Sequence, residues 1–119
     1  MRIEAFQYTK QKDGKTKDYL IVVLEKDAFY LEGLDLSKLD TTEIPKIVHL
    51  IANHEKRMFH LKSLALKEKK EFSEMIEEPE YKTEIEEYKS EMKPYVQKAY
   101  RKFLTSNIHE YTSLSDNQE

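Results

Sequence analysis

The sequence predicts an α+β fold, in which an N-terminal three-stranded antiparallel meander is followed by a long antiparallel helical hairpin. Both glycines, Gly14 and Gly33, lie before residue 40, where apolar residues alternate as they do in β-strands. All three prolines lie after residue 40, in a Lys- and Glu-rich stretch whose apolar residues recur every three or four positions. The chain therefore changes character once, from sheet to helix.

A chain of 119 residues fits one domain with one modest core. Because two long helices cannot be buried in so small a core, we expect helices that project from the sheet and contact a partner. We expect a single domain over 1–119, divided into a meander over 1–40, a helical hairpin over 41–105 and a partly frayed C-terminal segment over 106–119.

Three strands make up the predicted meander. Residues 2–10 alternate between two faces and form the first strand. The Asp-Gly pair at 13–14 follows, and this pair is favoured in two-residue hairpin turns because such turns need positive φ. The second strand contains the apolar run 20–24, whose continuity predicts burial on both faces and a central position. The third strand begins at Phe29 and ends near Gly33.

The first helix is predicted to run from about 43 to 77. Asp40 or Thr42 can cap its N-terminus, and Glu43 is placed to reach back to the cap. Pro45 is tolerated in the first turn of a helix. Apolar side chains then follow one stripe at spacings of three and four. At 1.5 Å per residue such a helix is about 50 Å long, longer than a small domain is wide.

A second helix is predicted to start at Pro79, because proline breaks the preceding helix and fits the first turn of the next one. Five apolar or aromatic residues follow at heptad-like spacing: Tyr81, Ile85, Tyr88, Met92 and Tyr95. This spacing predicts one side of an antiparallel helical hairpin or of a short coiled coil. Pro94 is expected to kink or restart the helix.

Two structures remain open for residues 98–114. In the first, the helix continues to Thr105. In the second, a strand, a turn and a strand return the chain to the N-terminal sheet and close a small SH3-like barrel, with the helical hairpin as an insertion. The spacing Arg101-x-Phe103-x4-Ile108 resembles the closing strands of small SH3-like bacterial and phage domains.

Composition excludes several classes of site. The chain has no cysteine, which excludes disulfides, thiolate catalysis and cysteine-bound zinc, and which suits a cytoplasmic protein. The net charge of -3 argues against phosphate binding as the main function. No apolar stretch approaches the roughly 20 residues of a membrane helix. We therefore expect a cytoplasmic protein without a membrane partner.

The candidate catalytic and metal-binding residues have the wrong spacing. Successive histidines His49, His54 and His60 are five and six positions apart, and these spacings place them on different helix faces. The acidic pairs 77–78 and 86–87 lie in a lysine-interleaved run typical of a solvated helix face. Two isolated glycines cannot form a phosphate-binding loop. We expect no metal, no cofactor and no enzymatic activity.

The helical arm is the predicted contact surface. A tyrosine stripe suits a protein interface, and two apolar residues lie off the main stripe of the first helix, forming a second ribbon. The predicted interface comprises Tyr81, Tyr88, Met92, Tyr95, Phe59 and Leu66. We expect a non-catalytic protein-binding regulator, adaptor or inhibitor that uses this arm for contact and for self-association, for example as a homodimer. Its composition and size suit a phage protein of the host-takeover or anti-defence type.

A nucleic-acid-binding accessory protein is the first alternative. Four lysines and two flanking tyrosines, Tyr8 and Tyr19, mark the first hairpin, where lysines can bind phosphates and tyrosines can stack on bases. Arg101 can join them if the C-terminus returns to the sheet. The lysines are Lys10, Lys12, Lys15 and Lys17. A small enzyme of unrecognised chemistry is the second alternative.

Overall fold

The computed structural model describes residues 2–114 of the chain. Within these residues the chain divides into two compact units, a sheet unit (2–44 and 95–114) and a helical unit (45–94). The predicted mixed α+β class is confirmed. The elements within the described residues are β1 (Arg2–Thr9), β2 (Thr16–Lys26), β3 (Tyr30–Asp35), a 3-10 helix (Leu36–Lys38), α1 (Ile44–Glu68), α2 (Phe72–Met75), α3 (Pro79–Ala99), β4 (Tyr100–Leu104), a 3-10 helix (Thr105–Asn107) and β5 (Ile108–Ser113).

The sheet is antiparallel, and its strands lie in the order β4-β3-β2-β1-β5. The predicted meander corresponds to β1, β2 and β3 and is confirmed. β2 is the central strand, and its Ile21 and Val22 are fully buried, as the continuous apolar run predicts. Gly33 of β3 packs closely on β2, because an added Cβ would collide with the Ile21 side chain and the Val22 carbonyl oxygen.

The turn between β1 and β2 is longer than the two-residue turn that the Asp-Gly pair predicts. The Lys10 N–H donates to the Lys15 carbonyl at 2.9 Å, which leaves residues 11–14 as the turn. A two-residue type I′ turn needs positive φ at both central residues. In this turn Gly14 takes a positive φ of 68°. The Asp13 carboxylate instead accepts the Lys15 N–H at 2.9 Å, and this side-chain bond stabilises the longer turn.

The C-terminal residues return to the sheet, so the strand alternative is confirmed and a helix that reaches Thr105 is wrong. α3 ends at Ala99, β4 pairs with β3, and β5 pairs with β1. Phe103 supplies the physical reason. It is buried, and its ring centroid lies 5.0 Å from that of Phe6 and 4.9 Å from that of Tyr8. Burial in this aromatic cluster outweighs the local helical pattern.

The strands β4 and β5 lie at opposite edges of the sheet, yet only the three residues of a 3-10 helix join them. The chain from the end of β4 to the start of β5 reaches at most about 14 Å. Four strand spacings of a flat sheet would require about 19 Å. The sheet therefore curls toward a barrel, as the SH3-like alternative requires. Within residues 2–114, β4 and β5 form no ladder with each other, so this seam is open.

A buried ion pair joins β3 to β4. Asp35 is buried, and the Arg101 Nε donates to its Oδ2 at 2.9 Å. The Ser37 backbone N–H and hydroxyl donate to Oδ1 at 3.0 and 2.7 Å. Burial raises the pKa of Asp35, but the hydrogen bonds from Ser37 and Arg101 outweigh burial and lower the pKa below its ordinary value. The carboxylate is therefore held charged inside the sheet unit.

α1 begins at Ile44, close to the predicted start, and Glu43 reaches back to Asp40 as predicted. The Asp40 N–H donates to the Glu43 carboxylate at 2.9 Å, and the Glu43 N–H donates to the Asp40 carbonyl at 2.9 Å. Glu43 thus makes the reach-back bond of a capping box, while its own N–H bonds to the Asp40 backbone and not to the Asp40 side chain. The Lys98 ammonium lies 2.8 Å from the same carboxylate. At the far end of the hairpin, α3 begins at Pro79, as predicted.

The single helix predicted over 43–77 is wrong, because α1 ends at Glu68. Lys69 adopts a positive φ of 57°. The Lys70 N–H donates to the Ala65 carbonyl at 2.9 Å, and the Lys69 N–H donates to the Leu66 carbonyl at 3.3 Å. These two bonds form a Schellman motif, which ends helices and usually has glycine where this chain has Lys69.

Packing explains why the helix ends there. After the break, Phe72 and Met75 of α2 turn back onto α1. Met75 is fully buried in a cluster with Leu61 and Ala65. A straight continuation of α1 would carry Met75 away from these side chains. Burying a methionine contributes about 1.5–3 kcal/mol, enough to offset a left-handed lysine.

Candidate protein-binding surface

α1 and α3 run antiparallel in the helical unit, as predicted. The Arg57 Nε lies 2.9 Å from the Glu84 Oε2. Three residues earlier on α1, the ring of His54 stacks on that of Tyr88, with centroids 3.8 Å apart. Burial, and then the charge of Arg57, lower the pKa of His54. The contacts therefore favour a neutral imidazole within the hairpin.

Four of the six predicted interface residues take part in the packing of the chain itself. Met92 and Tyr95 are buried. Tyr88 is half-buried in its stack on His54. Tyr81 is partly buried against the cluster of Leu61, Ala65 and Met75. The heptad-like spacing thus supports the fold, and these four side chains offer little surface to a partner.

The other two predicted residues are exposed, and we call Phe59 and Leu66 the apolar ribbon. Phe59 is 75% exposed and Leu66 is 82% exposed. They lie seven positions apart, which places them on one side of α1 and about 10 Å apart along its axis. The buried residues Ile51, Leu61 and Ala65 of α1 lie on other sides of the helix. The ribbon therefore faces solvent.

A groove extends the apolar ribbon at its C-terminal end. It has a volume of about 440 Å³. Its apolar lining consists of Ala65, Leu66 and Phe72, and its polar lining consists of Lys62, Lys70 and Glu71. Phe72 reaches the groove because the chain breaks at Lys69. A continuous helix would place Phe72 on the buried stripe, so sequence reasoning missed its part in this surface.

Lysines surround the apolar ribbon. Lys56 and Lys62 lie three positions before and after Phe59, and Lys67 adjoins Leu66. All three lysines are exposed, and Lys56 and Lys67 make no ion pair within residues 2–114. The Lys62 ammonium lies 5.5 Å from the centroid of the Phe72 ring. The surface thus combines apolar side chains with nearby cations.

Lys70 differs from these lysines because acidic neighbours already hold it. Its ammonium lies 3.3 Å from the Glu68 carboxylate and 3.7 Å from that of Glu78. The hydrogen bond to Glu68 and the charge of Glu78 raise the pKa of Lys70. Lys70 therefore forms a wall of the groove whose charge is largely balanced.

The lysines of the β1–β2 hairpin are exposed, but the neighbouring tyrosines are engaged in contacts within the chain. Lys10, Lys12, Lys15 and Lys17 are all exposed. Tyr19 is buried, and the Tyr8 hydroxyl accepts the Leu104 N–H at 3.2 Å. Arg101 is engaged by the buried Asp35 carboxylate. The nucleic-acid alternative stays a prediction, and it depends on the four lysines without a tyrosine platform for bases.

A second groove lies between α1 and α3 in the helical unit. It has a volume of about 120 Å³ and is lined by Leu50, Asn53, Arg57, Glu84, Glu87, Tyr88 and Glu91. Its acidic side chains do not form a metal site. No group of three or more His, Asp or Glu residues in the part of the chain that the structure describes is arranged to hold a metal ion.

The chain matches no protein-family model, no curated protein and no solved structure. Among residues 2–114, no helix combines the length and the apolar character needed to cross a bilayer. A functional conclusion therefore depends on the exposure, shape and charge of the surfaces described above.

Proposed function

We propose that the protein is a non-catalytic protein-binding regulator, adaptor or inhibitor, and that the apolar ribbon of α1 is its contact surface. The supporting observation is the exposure of Phe59 and Leu66 on one side of a helix whose other side is buried. Scattered single apolar residues are normal on a protein surface. Two large ones at helical spacing, continued by the groove that Phe72 lines, suit an interface better.

The two exposed side chains of the ribbon would contribute substantially to the affinity for a partner. Burying Phe59 and Leu66 against a partner would contribute about 1.5–3 kcal/mol for each side chain. Together the two side chains would strengthen binding by about two to four orders of magnitude. Aromatic anchors of this kind carry much of the energy of protein interfaces, with cations and other polar residues at the rim.

A phage-encoded inhibitor of the host-takeover or anti-defence type is one form of this proposal. A small chain without cysteine, with a sheet unit and an exposed helical surface, suits capture and blockade of another protein better than chemistry. This form of the proposal depends on composition and size, whereas the binding proposal depends on the exposed ribbon.

Site-specific photo-crosslinking tests the proposed function. A benzoylphenylalanine side chain replaces Phe59 in one version of the protein and Ser90 in a matched version. Ser90 is an exposed residue of α3, about half a helical turn away from the buried Met92 and the half-buried Tyr88. Both versions are irradiated in the cells that naturally produce the protein.

We expect one discrete protein adduct from the Phe59 position and none from the Ser90 position. Leu66→Asp should weaken the adduct without loss of folding, because Leu66 is exposed and its replacement leaves the core intact. Circular dichroism of the variant provides the folding control. Equal adducts from both positions, or no adduct from either, would show that the ribbon is not the contact surface.

A further inference from the structure

We propose that the occupant of the apolar ribbon is an acidic amphipathic helix of a partner protein. This proposal depends on the proposed function and specifies the chemistry of the partner. Three observations support it. Phe59 and Leu66 have helical spacing, lysines without an acidic partner within residues 2–114 lie beside them, and the following segment of the helical unit, residues 71–91, is strongly acidic.

The spacing of the ribbon suits a helix. Phe59 and Leu66 are separated by two turns of α1, or about 10 Å. A second helix that crosses α1 at a shallow angle presents apolar side chains at the same seven-residue spacing. The groove formed by Ala65, Leu66 and Phe72 offers an additional pocket for one apolar side chain of that helix.

The charge of the ribbon's surroundings suits acidic flanks on that helix. Residues 56–70 contain six basic residues and one acidic residue, Glu68. Two of the basic residues already have acidic partners, since Arg57 pairs with Glu84 and Lys70 pairs with Glu68 and Glu78. Four basic residues remain. Lys69 lies beyond the end of α1, and Lys56, Lys62 and Lys67 are the exposed cations on α1 beside the ribbon. Glutamates on a docked helix would meet them on both sides of Phe59 and Leu66.

Other occupants fit the charges less well. A second copy that placed its own ribbon against this one would bring Lys56, Lys62 and Lys67 toward the same lysines. A nucleic acid would place its phosphates beside apolar side chains. A strongly acidic segment also follows the ribbon closely in the sequence. Residues 71–91 contain nine acidic residues and two basic residues. This segment repels a polyphosphate more strongly than it repels a helix with a limited number of glutamates.

Synthetic helical peptides of about 21 residues test the proposal, since shorter isolated helices are marginally stable. One peptide carries leucines at seven-residue spacing with glutamates beside them, and its matched partner carries lysines at those flanking positions. Fluorescence anisotropy measures the binding of each peptide to the full chain. The charge-reversal variant replaces Lys56, Lys62 and Lys67 with glutamate. The control variant makes the same change at three exposed lysines of α3, which are Lys82, Lys89 and Lys93.

We expect the protein to bind the glutamate peptide and to reject the lysine peptide. The charge reversal at Lys56, Lys62 and Lys67 should weaken binding of the glutamate peptide about tenfold or more and should create binding of the lysine peptide. The control variant should retain most of the original preference. Phe59→Ser should weaken binding of the glutamate peptide, because it removes an apolar anchor of the docked helix.

Several outcomes would overturn the proposal. Equal binding of both peptides would mean that the lysines select no charge. No binding of the glutamate peptide, or preferential binding of a single-stranded oligonucleotide that Lys56→Glu abolishes, would exclude the acidic helix. A dimer that Phe59→Ser dissociates in light scattering would make a second copy the occupant. In these cases the crosslinking experiment still decides the proposed function separately, because it detects any protein at Phe59.

Discussion

Replacing Lys69 with glycine should stabilise the protein, although glycine usually weakens helical segments. Lys69 has a φ of 57° at the first residue beyond the end of α1. A residue with a Cβ pays about 1–2 kcal/mol in this left-handed conformation. Glycine avoids that cost but gives the unfolded chain more freedom, which costs about 0.4–1 kcal/mol. The net expectation is a gain of about 0.5–1 kcal/mol in the free energy of unfolding.

Lys67→Gly is the matched control, because it makes the same chemical change two positions earlier. Lys67 lies within the last turn of α1, where φ is negative and glycine costs about 1 kcal/mol relative to a good helix former. Urea unfolding at neutral pH, followed by circular dichroism, gives the free energy of unfolding of both variants. The two variants should therefore shift the unfolding midpoint in opposite directions.

A loss of stability in Lys69→Gly similar to that in Lys67→Gly would refute this reasoning. Both positions would then lie in helix interior, and the continuous helix predicted over 43–77 would be right after all. The Schellman motif, the reversal of the chain before α2 and the position of Phe72 in the groove would then all be wrong. One pair of variants thus tests the element on which the shape of the binding surface depends.

Three further predictions concern the sheet unit. Gly33→Ala should lower the free energy of unfolding by about 3 kcal/mol, since its Cβ meets the Val22 carbonyl and backbone cannot move aside cheaply; a change near zero in urea unfolding would contradict the close packing. Burial raises the pKa of Asp35, but its hydrogen bonds outweigh burial and lower the pKa. The charged carboxylate therefore stabilises the fold above the unfolded pKa of about 3.9, and this stability is lost as the pH falls through the folded pKa. Asp35→Asn should therefore cost most at neutral pH and least at a pH below the folded pKa, whereas a cost independent of pH would contradict the ion pair. The hydrogen bond to Glu32, with burial and nearby charge, raises the pKa of Tyr100 to about 12. Ultraviolet titration should therefore show one tyrosine that ionises at a higher pH than the others, and Tyr100→Phe should remove this transition. If the transition persists in Tyr100→Phe, it belongs to another tyrosine.

Local signals were sufficient for much of the fold. The reach of Glu43 back to the Asp40 N–H, the start of α3 at Pro79 and the central position of β2 were all predicted and confirmed. Each depends on residues that are close together in sequence or on a run of apolar side chains. A cap, a proline and a continuous apolar run act through the local backbone, so their effects are visible without a partner.

Part of the candidate surface was also predictable. Phe59 and Leu66 were identified because they fall off the main apolar stripe of the first helix. The tyrosines and Met92 of α3 were placed in the same predicted interface, yet Met92 and Tyr95 are buried in the structure. Periodicity identifies which side chains share a face, but it does not reveal which face is covered by the rest of the chain.

The sequence by itself determined the order of sheet and helix, the helix start at Asp40–Glu43 and the pairs of residues that share a helix face. Only the tertiary structure decided the end of α1, the return of β4 and β5, and the exposure of the apolar ribbon. The end of α1 falls at a lysine, Lys69, where neither glycine nor proline marks the end of a helix. Phe103 lies in a strand because its ring packs against Phe6 and Tyr8. The physical reason is that such choices depend on burial against distant residues, which outweighs local propensity of a few tenths of a kcal/mol per residue.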